Sequence, residues 1–267
     1  MTLTEKYSEG CGLFDFDIAT PLFNQISEAF DALSPLSLTI ENLANVKEQP
    51  GVYGLHHSGE LVYVGKADDD ARSRLRKHRR QLHGRIGITP DDVHFRCLHL
   101  AHTWDPFQPE AHMIGQRHPS WNSKGFGPND PGRERETTNL AEDRWHVRFA
   151  LDPDFRCSGV PSGHYDVLEL LRAVAKDAPY WIRFQGNREG ITVKARAEYE
   201  AAHAAFGAST IVVVPADNMS VKNLLLLAVA ALPSPEAWQL SQLPSHLLLY
   251  RETDVNYPRM TRLWPTA

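Results

Sequence analysis

Cysteine is scarce in this chain. Cys11, Cys97 and Cys157 are the only three in 267 residues, and their long spacing is neither a disulfide ladder nor a CxxC metal site, which suits a reducing cytoplasm. A long hydrophobic run is also missing. The longest, Leu224 to Leu232, lies between Asn223 and Pro233 and falls far short of the ~20 residues that span a bilayer. The opening residues Met1-Thr2-Leu3-Thr4-Glu5-Lys6 contain no apolar signal core. Nor is there an excess of positive charge. A formal charge of −5 excludes an indiscriminate polycation but leaves room for a local basic stripe that meets phosphates. These absences exclude a membrane protein and favour a cytoplasmic one.

Hydrophobic residues make up 42% of the chain and charged residues 23%, so a sizeable core can form in one large domain or in a core domain with an added second one. Thr20-Pro21 followed by Leu22, Phe23, Ile26, Phe30 and Leu33 predicts an amphipathic helix. Residues 51–57 and 61–67 predict a hairpin across Ser58-Gly59. A helix over 70–83 with the stripe Ala71, Leu75 and Leu82, a strand over 93–100, and a helix that starts at Pro109 complete a small α/β sandwich. Further on, helices are predicted over 168–175, 192–206 and 221–232, and strands over 180–184, 211–214 and 247–250. Residues 123–139 are glycine-rich and polar, a loop long enough to suspect function.

The densest chemistry lies in the first of these regions. Gly51-Val52-Tyr53 and Tyr63-Val64-Gly65-Lys66 place one tyrosine on each hairpin strand, and the helix after them carries Arg74 and His78 four residues apart, on one face. Glu110 follows Pro109, and Asn122 lies twelve residues beyond it. Taken singly, each has an ordinary explanation: strand tyrosines, one more solvated arginine, an acid favoured at a helix N-terminus, an asparagine capping a turn. Together they suit phosphodiester cleavage. That reaction needs a proton acceptor for water, positive charge around the phosphate, and a metal for the developing negative charge. His94, Cys97, His99 and His102 suggest zinc by composition alone, because on a strand His94 faces away from Cys97 and His99.

Over roughly residues 48–123 the chain resembles the GIY-YIG nuclease superfamily, with valine at both isoleucine positions. Trp121-Asn122 followed by Gly125-Phe126-Gly127 looks most like its restriction-endonuclease branch. The resemblance implies an α/β fold: a GIY-YIG core with a small antiparallel-leaning sheet and flanking helices, an N-terminal helix, and a C-terminal α/β extension. It implies that Tyr53 orients or deprotonates the attacking water with help from His78, while Tyr63 fixes phosphate and water geometry and Lys66 supports them. Arg74 would neutralise the phosphate, Glu110 would hold one Mg²⁺ (or Mn²⁺) per site, and Asn122 would support the phosphate or the glutamate.

The implied divisions are 1–47 as a helical arm, 48–123 as the catalytic core, 124–185 as a DNA-recognition region and 186–267 as an extension. Arg72, Arg76, Lys77, Arg79 and Arg80 are candidates for backbone contacts, and Arg133 and Arg135 for bidentate reading of guanine. The implied activity is a Mg²⁺-dependent, sequence-specific type II restriction endonuclease that leaves 5′-phosphate and 3′-hydroxyl ends. Its partners would be a palindromic DNA duplex, a second copy of the chain in a homodimer or higher even oligomer, and a cognate methyltransferase. A repair, mobile-element or modification-dependent nuclease with the same core is the first alternative. A catalytically dead DNA-binding module is the second.

Overall fold

The computed structural model describes residues 5–8, 11–13, 19–100, 109–127, 136–185 and 193–265. The chain divides into two compact units: Met1–Arg76 with Asp91–Asn122, and Lys77–Pro90 with Ser123–Ala267.

In the first unit, strands β1 (Glu5–Ser8) and β2 (Cys11–Leu13) form an antiparallel pair. Helix α1 (Ala19–Asp31), strand β3 (Leu36–Ser37) and helix α2 (Ile40–Ala44) precede the predicted hairpin. Strands β4 (Gly51–His57) and β5 (Glu60–Ala67) form that hairpin. Its two turn residues both have positive φ, 52° at Ser58 and 83° at Gly59. That is the type I′ geometry whose twist matches the strands, and glycine adopts it without penalty. Helix α3 (Ala71–His83) follows, with Asp70 accepting a 3.1 Å bond from the Ser73 backbone at its start. The boundary between the units falls within α3. Strand β6 (Val93–His99), helix α4 (Pro109–Arg117) and the short helix α5 (Ser120–Lys124) complete the ordered elements up to that point.

The four-stranded sheet has the order β3-β6-β4-β5 and is antiparallel throughout. Alternation along β4 sends Val52 to one face and Tyr53 to the other. Val52 and Val64 pack with Phe30 of α1 and Met113 of α4. This is why apolar positions recur along those two helices. The opposite face is left to the tyrosines.

The second unit contains helix α6 (Trp145–Arg148), strand β7 (Gly163–Tyr165), helix α7 (Val167–Asp177), strand β8 (Trp181–Phe184) and helix α8 (Val193–Gly207). Strand β9 (Val212–Val214), helix α9 (Val221–Ala230) and strands β10 (Gln239–Gln242), β11 (His246–Tyr250) and β12 (Thr261–Trp264) follow. Helix α7 buries Val167, Leu170, Leu171 and Val174, one helical face, behind the N-cap Asp166. The main sheet has the order β12-β10-β11-β8, with β8 parallel to β11.

This pairing corrects the expected division at residue 186. Strand β8 precedes that point and β11 follows it, and one core runs from Leu151 to Leu263. The two stretches fold as one body because the sheet cannot be divided without exposing Ile182 and Phe184. Among the described residues, no helix is long and apolar enough to cross a membrane.

Candidate active site

Strand pairing brings the two tyrosines together. Tyr53 stands opposite Gly65, and Tyr63 opposite Leu55, so the tyrosines are diagonal neighbours on one face of the hairpin. Their ring centroids are 6.2 Å apart, and both side chains are almost wholly buried. Gly65 makes room for this arrangement. A Cβ built at Gly65 would lie 2.6 Å from the Tyr53 hydroxyl, closer than any contact tolerates.

The two phenols share a hydrogen bond. Burial pushes both upward from the ordinary phenol range; for Tyr53 the neighbouring Tyr63 adds to it and Arg74 opposes it. In the free protein the neutral phenol is therefore the favoured form of Tyr53. Desolvation outweighs the attraction of one guanidinium.

Arg74 lies in the first half of α3, exposed, with its charge felt by Tyr53, Tyr63 and Glu110. Its guanidinium has no hydrogen-bond or ion-pair partner among the described residues, so it is open to a ligand.

Glu110 opens α4 and is half-buried. It accepts a hydrogen bond from the backbone N–H of Lys66 on the edge strand β5. Burial raises its pKa, Lys66 opposes this, and Asp68 adds to it. Lys66 itself pairs with Asp68 at 2.7 Å. Glu110 is thus a desolvated carboxylate whose burial Lys66 and Arg74 offset only in part. One oxygen-donor side chain of this kind, with waters and phosphate oxygens completing the shell, fits a hard divalent cation. No group of three or more His, Cys, Asp or Glu side chains gathers as a metal site among the described residues.

Asn122 has a different task from the one expected. Its Oδ1 accepts from the Val64 N–H at 2.9 Å, and its Nδ2 donates to the Val64 carbonyl at 2.8 Å. The side-chain amide closes the open edge of β5 as another strand would. With both ends in use, it holds the strand that carries Tyr63 and Lys66 rather than reaching for a phosphate.

His78 lies in the second unit, buried, with its ring stacked on Phe126 at 5.0 Å. Phe126 packs in turn against Trp145 at 4.8 Å. The Gly125-Phe126-Gly127 segment, expected to start a recognition loop, is therefore anchored by a fully buried ring. Arg72 donates to the Val46 carbonyl and pairs with Glu48, which ties it to structure and removes it from the phosphate-binding set. Arg80 donates to the carbonyls of Lys176, Asp177 and Ala178 and so caps α7. Arg76 and Lys77 are exposed, and Arg79 is half-buried. Arg133 and Arg135 lie outside the described residues.

His94 and Cys97 stand opposite His56 and Tyr53 respectively, on opposite faces of the sheet. His99 is held by the Lys47 N–H and the Pro50 carbonyl, each at 3.3 Å.

Sequence reasoning missed Asp68. Its signal was the acidic triplet Asp68-Asp69-Asp70 directly after the second strand. What the first unit assembles is a hydrogen-bonded phenol pair, an open guanidinium, and a desolvated carboxylate beside an ammonium. Scanned against models of protein families and searched against curated proteins, the chain returns no match.

Proposed function

We propose that the chain is a Mg²⁺-dependent DNA endonuclease with a GIY-YIG core, acting as a type II restriction enzyme in the cytoplasm. The observation that supports it most is the meeting of Tyr53, Tyr63, Arg74 and Glu110 in one electrostatic cluster. These side chains match the needs of phosphodiester hydrolysis one by one. Arg74 binds the scissile phosphate and opposes the charge that grows there, in the planar, permanently cationic form suited to it. Tyr63 and Tyr53 form a short proton path. A water held by one hydroxyl would pass its proton along the pair as it attacks, and the far hydroxyl would release its own proton, by way of solvent, to the leaving 3′ oxygen, so neither phenol must stand ionised beforehand.

Glu110 would hold the Mg²⁺, which supplies stabilisation for the leaving 3′ oxygen. Lys66 sets the position of Glu110 through its backbone N–H and its charge. Asn122 keeps β5 in register. The products are 5′-phosphate and 3′-hydroxyl ends.

One cluster cuts one strand. Breaking both strands of a palindromic duplex calls for two chains related by a two-fold axis, and a cognate methyltransferase would protect the host's own sites.

The test is digestion of phage DNA of known sequence with Mg²⁺, followed by mapping of fragment ends. Discrete fragments sharing one short sequence at their ends are expected. Glu110→Gln should abolish cleavage while duplex binding in a gel-shift assay persists. No cleavage by the wild-type chain on any DNA, or Glu110→Gln cutting within a few-fold of wild type, would remove this reading.

A further inference from the structure

The second unit holds a cleft that the proposed cleavage chemistry does not use. Its cavity of about 550 Å³ is lined by five cations, Lys77, Arg80, Arg85, Arg172 and Lys176, with no carboxylate among its lining residues, and Trp181 stands beside them. In a chain of charge −5, that concentration of one sign creates a local positive field. Two of the cations are anchored: Arg80 on the end of α7, and Arg85 on the carbonyls of Gln81 and Pro244 and over the Trp145 ring at 5.1 Å. The acceptors of Arg80 are carbonyls, so these bonds leave its charge unneutralised.

Lys77, Arg172 and Lys176 are exposed and form no ion pair among the described residues. Arg172 and Lys176 lie four apart on α7 and so share a face. Trp181 opens the edge strand β8. Its neighbours Ile182 and Phe184 are only 5% and 3% exposed, while Trp181 itself is 58% exposed. That leaves a large aromatic ring open to solvent beside a row of cations.

Cations that track a phosphate backbone, together with an aromatic ring on which a base stacks, are the two parts of a single-strand binding site. A paired base within a duplex has both faces covered by its neighbours, whereas an unpaired one can offer a face to an indole. The cavity falls in the size range of small-ligand sites, roughly 300–1,000 Å³, which admits a nucleotide but not a duplex.

We propose that this cleft binds an unpaired segment of DNA, with phosphates against Lys77, Arg172 and Lys176 and one base stacked on Trp181. The choice of DNA rests on the nuclease reading above. The cleft adds to it a contact with a strand that is opened or frayed.

Binding without Mg²⁺ tests this apart from cleavage. The anisotropy of a fluorescent oligo(dT) and of a duplex of equal length is measured across a salt series. Trp181→Ala should weaken oligo(dT) binding by about tenfold or more with little change in duplex affinity, and Trp181→Phe should restore most of the loss. Arg172→Glu with Lys176→Glu should flatten the dependence of affinity on salt, because fewer counterions are released. All three residues are exposed, and unchanged melting would show that the fold is kept.

If the wild-type chain cuts duplex DNA while these variants bind oligo(dT) as it does, the cleft proposal falls and the nuclease reading stands. If the variants lose oligo(dT) binding but the wild-type chain cuts nothing with Mg²⁺, the reverse holds. Wild-type protein that binds neither DNA overturns both.

Discussion

Tyr53 and Tyr63 differ from surface tyrosines by one bond. Each hydroxyl has the other as a partner, in a place where burial penalises the charged form of both. Replacing either with phenylalanine keeps the ring packing and removes that bond. Cleavage by Tyr53→Phe and by Tyr63→Phe should fall by roughly 10²-fold or more, the usual scale of acid–base help, with melting temperature little changed. A fully active Tyr53→Phe would return that tyrosine to the sheet as a packing residue. Glu110 makes a second case, in which function and stability oppose each other. Its folded pKa is raised above the ordinary 4.5, so the folded chain holds a proton that the unfolded chain releases. Stability therefore falls as pH rises from that ordinary value through the raised one, and the cost remains at neutral pH. Glu110→Gln should melt higher than wild type at pH 7 and about equally at pH 4, while added Mg²⁺ should stabilise only the wild type. Sequence spacing put the two tyrosines on paired strands, Arg74 on the helix after them and Glu110 at the start of another. It could not give the direction of the pKa shifts of Tyr53, Tyr63 and Glu110, which depends on burial. Nor could it show that His78, on the same helix face as Arg74, would spend its ring on Phe126.

Elements with strong local signals were legible. The hairpin followed from Ser58-Gly59 and α3 from the stripe Ala71, Leu75 and Leu82, and the helix expected over 168–175 is α7. Strand β10 was not, because its sequence Gln-Leu-Ser-Gln breaks the apolar alternation of a buried strand. Gln239 and Ser241 are buried all the same, with Gln239 donating to Ser241 at 2.8 Å and to the Val255 carbonyl at 2.7 Å. Strand β3 has two residues and gains its identity only by pairing with β6. The hairpin that carries the tyrosines depends on two small features. In Gly65→Ala, the new methyl group would occupy space held by the Tyr53 ring, and the ring can swing away more cheaply than the strand can part. Activity should therefore drop much further than stability, and the near-ultraviolet dichroism of the tyrosines should change. Asn122→Ala would leave the Val64 N–H and carbonyl at the sheet edge without their partners. The expected cost is about 1–3 kcal/mol for partly buried polar groups left unmet, with faster hydrogen exchange at the Val64 amide. An unchanged exchange rate there would show that Asn122 does not guard the edge.

At the scale of the molecule, the behaviour in acid follows from three buried histidines that the proposed chemistry does not use. His56 in the first unit and His146 and His246 in the second are almost wholly buried. Burial is the main cause that keeps them uncharged. It takes His56 and His246 down to about 4, with Arg96 and Arg183 respectively adding to it, and it holds His146 well below the usual imidazole range beside Arg85. In the unfolded chain each imidazole would titrate near ~6.5. Between that value and about 4 the unfolded chain binds protons that the folded chain refuses. The stability these groups contribute is therefore complete above pH 6.5 and is lost as pH falls toward 4. The melting temperature should be nearly flat from pH 8 to 7 and should then drop steadily below 6.5. Two of the three histidines belong to the second unit, so a transition followed through its buried Trp238 should move further than one followed through the Tyr53–Tyr63 pair. His246→Asn offers an oxygen near the ring nitrogen that now meets the Ser245 hydroxyl at 2.7 Å, but it cannot take up a proton. In that variant the acid slope of the second transition should be shallower than in wild type. A melting temperature that stays level from pH 7 to pH 5, or a His246→Asn slope identical to wild type, would mean that these rings are protonated in the folded chain without cost.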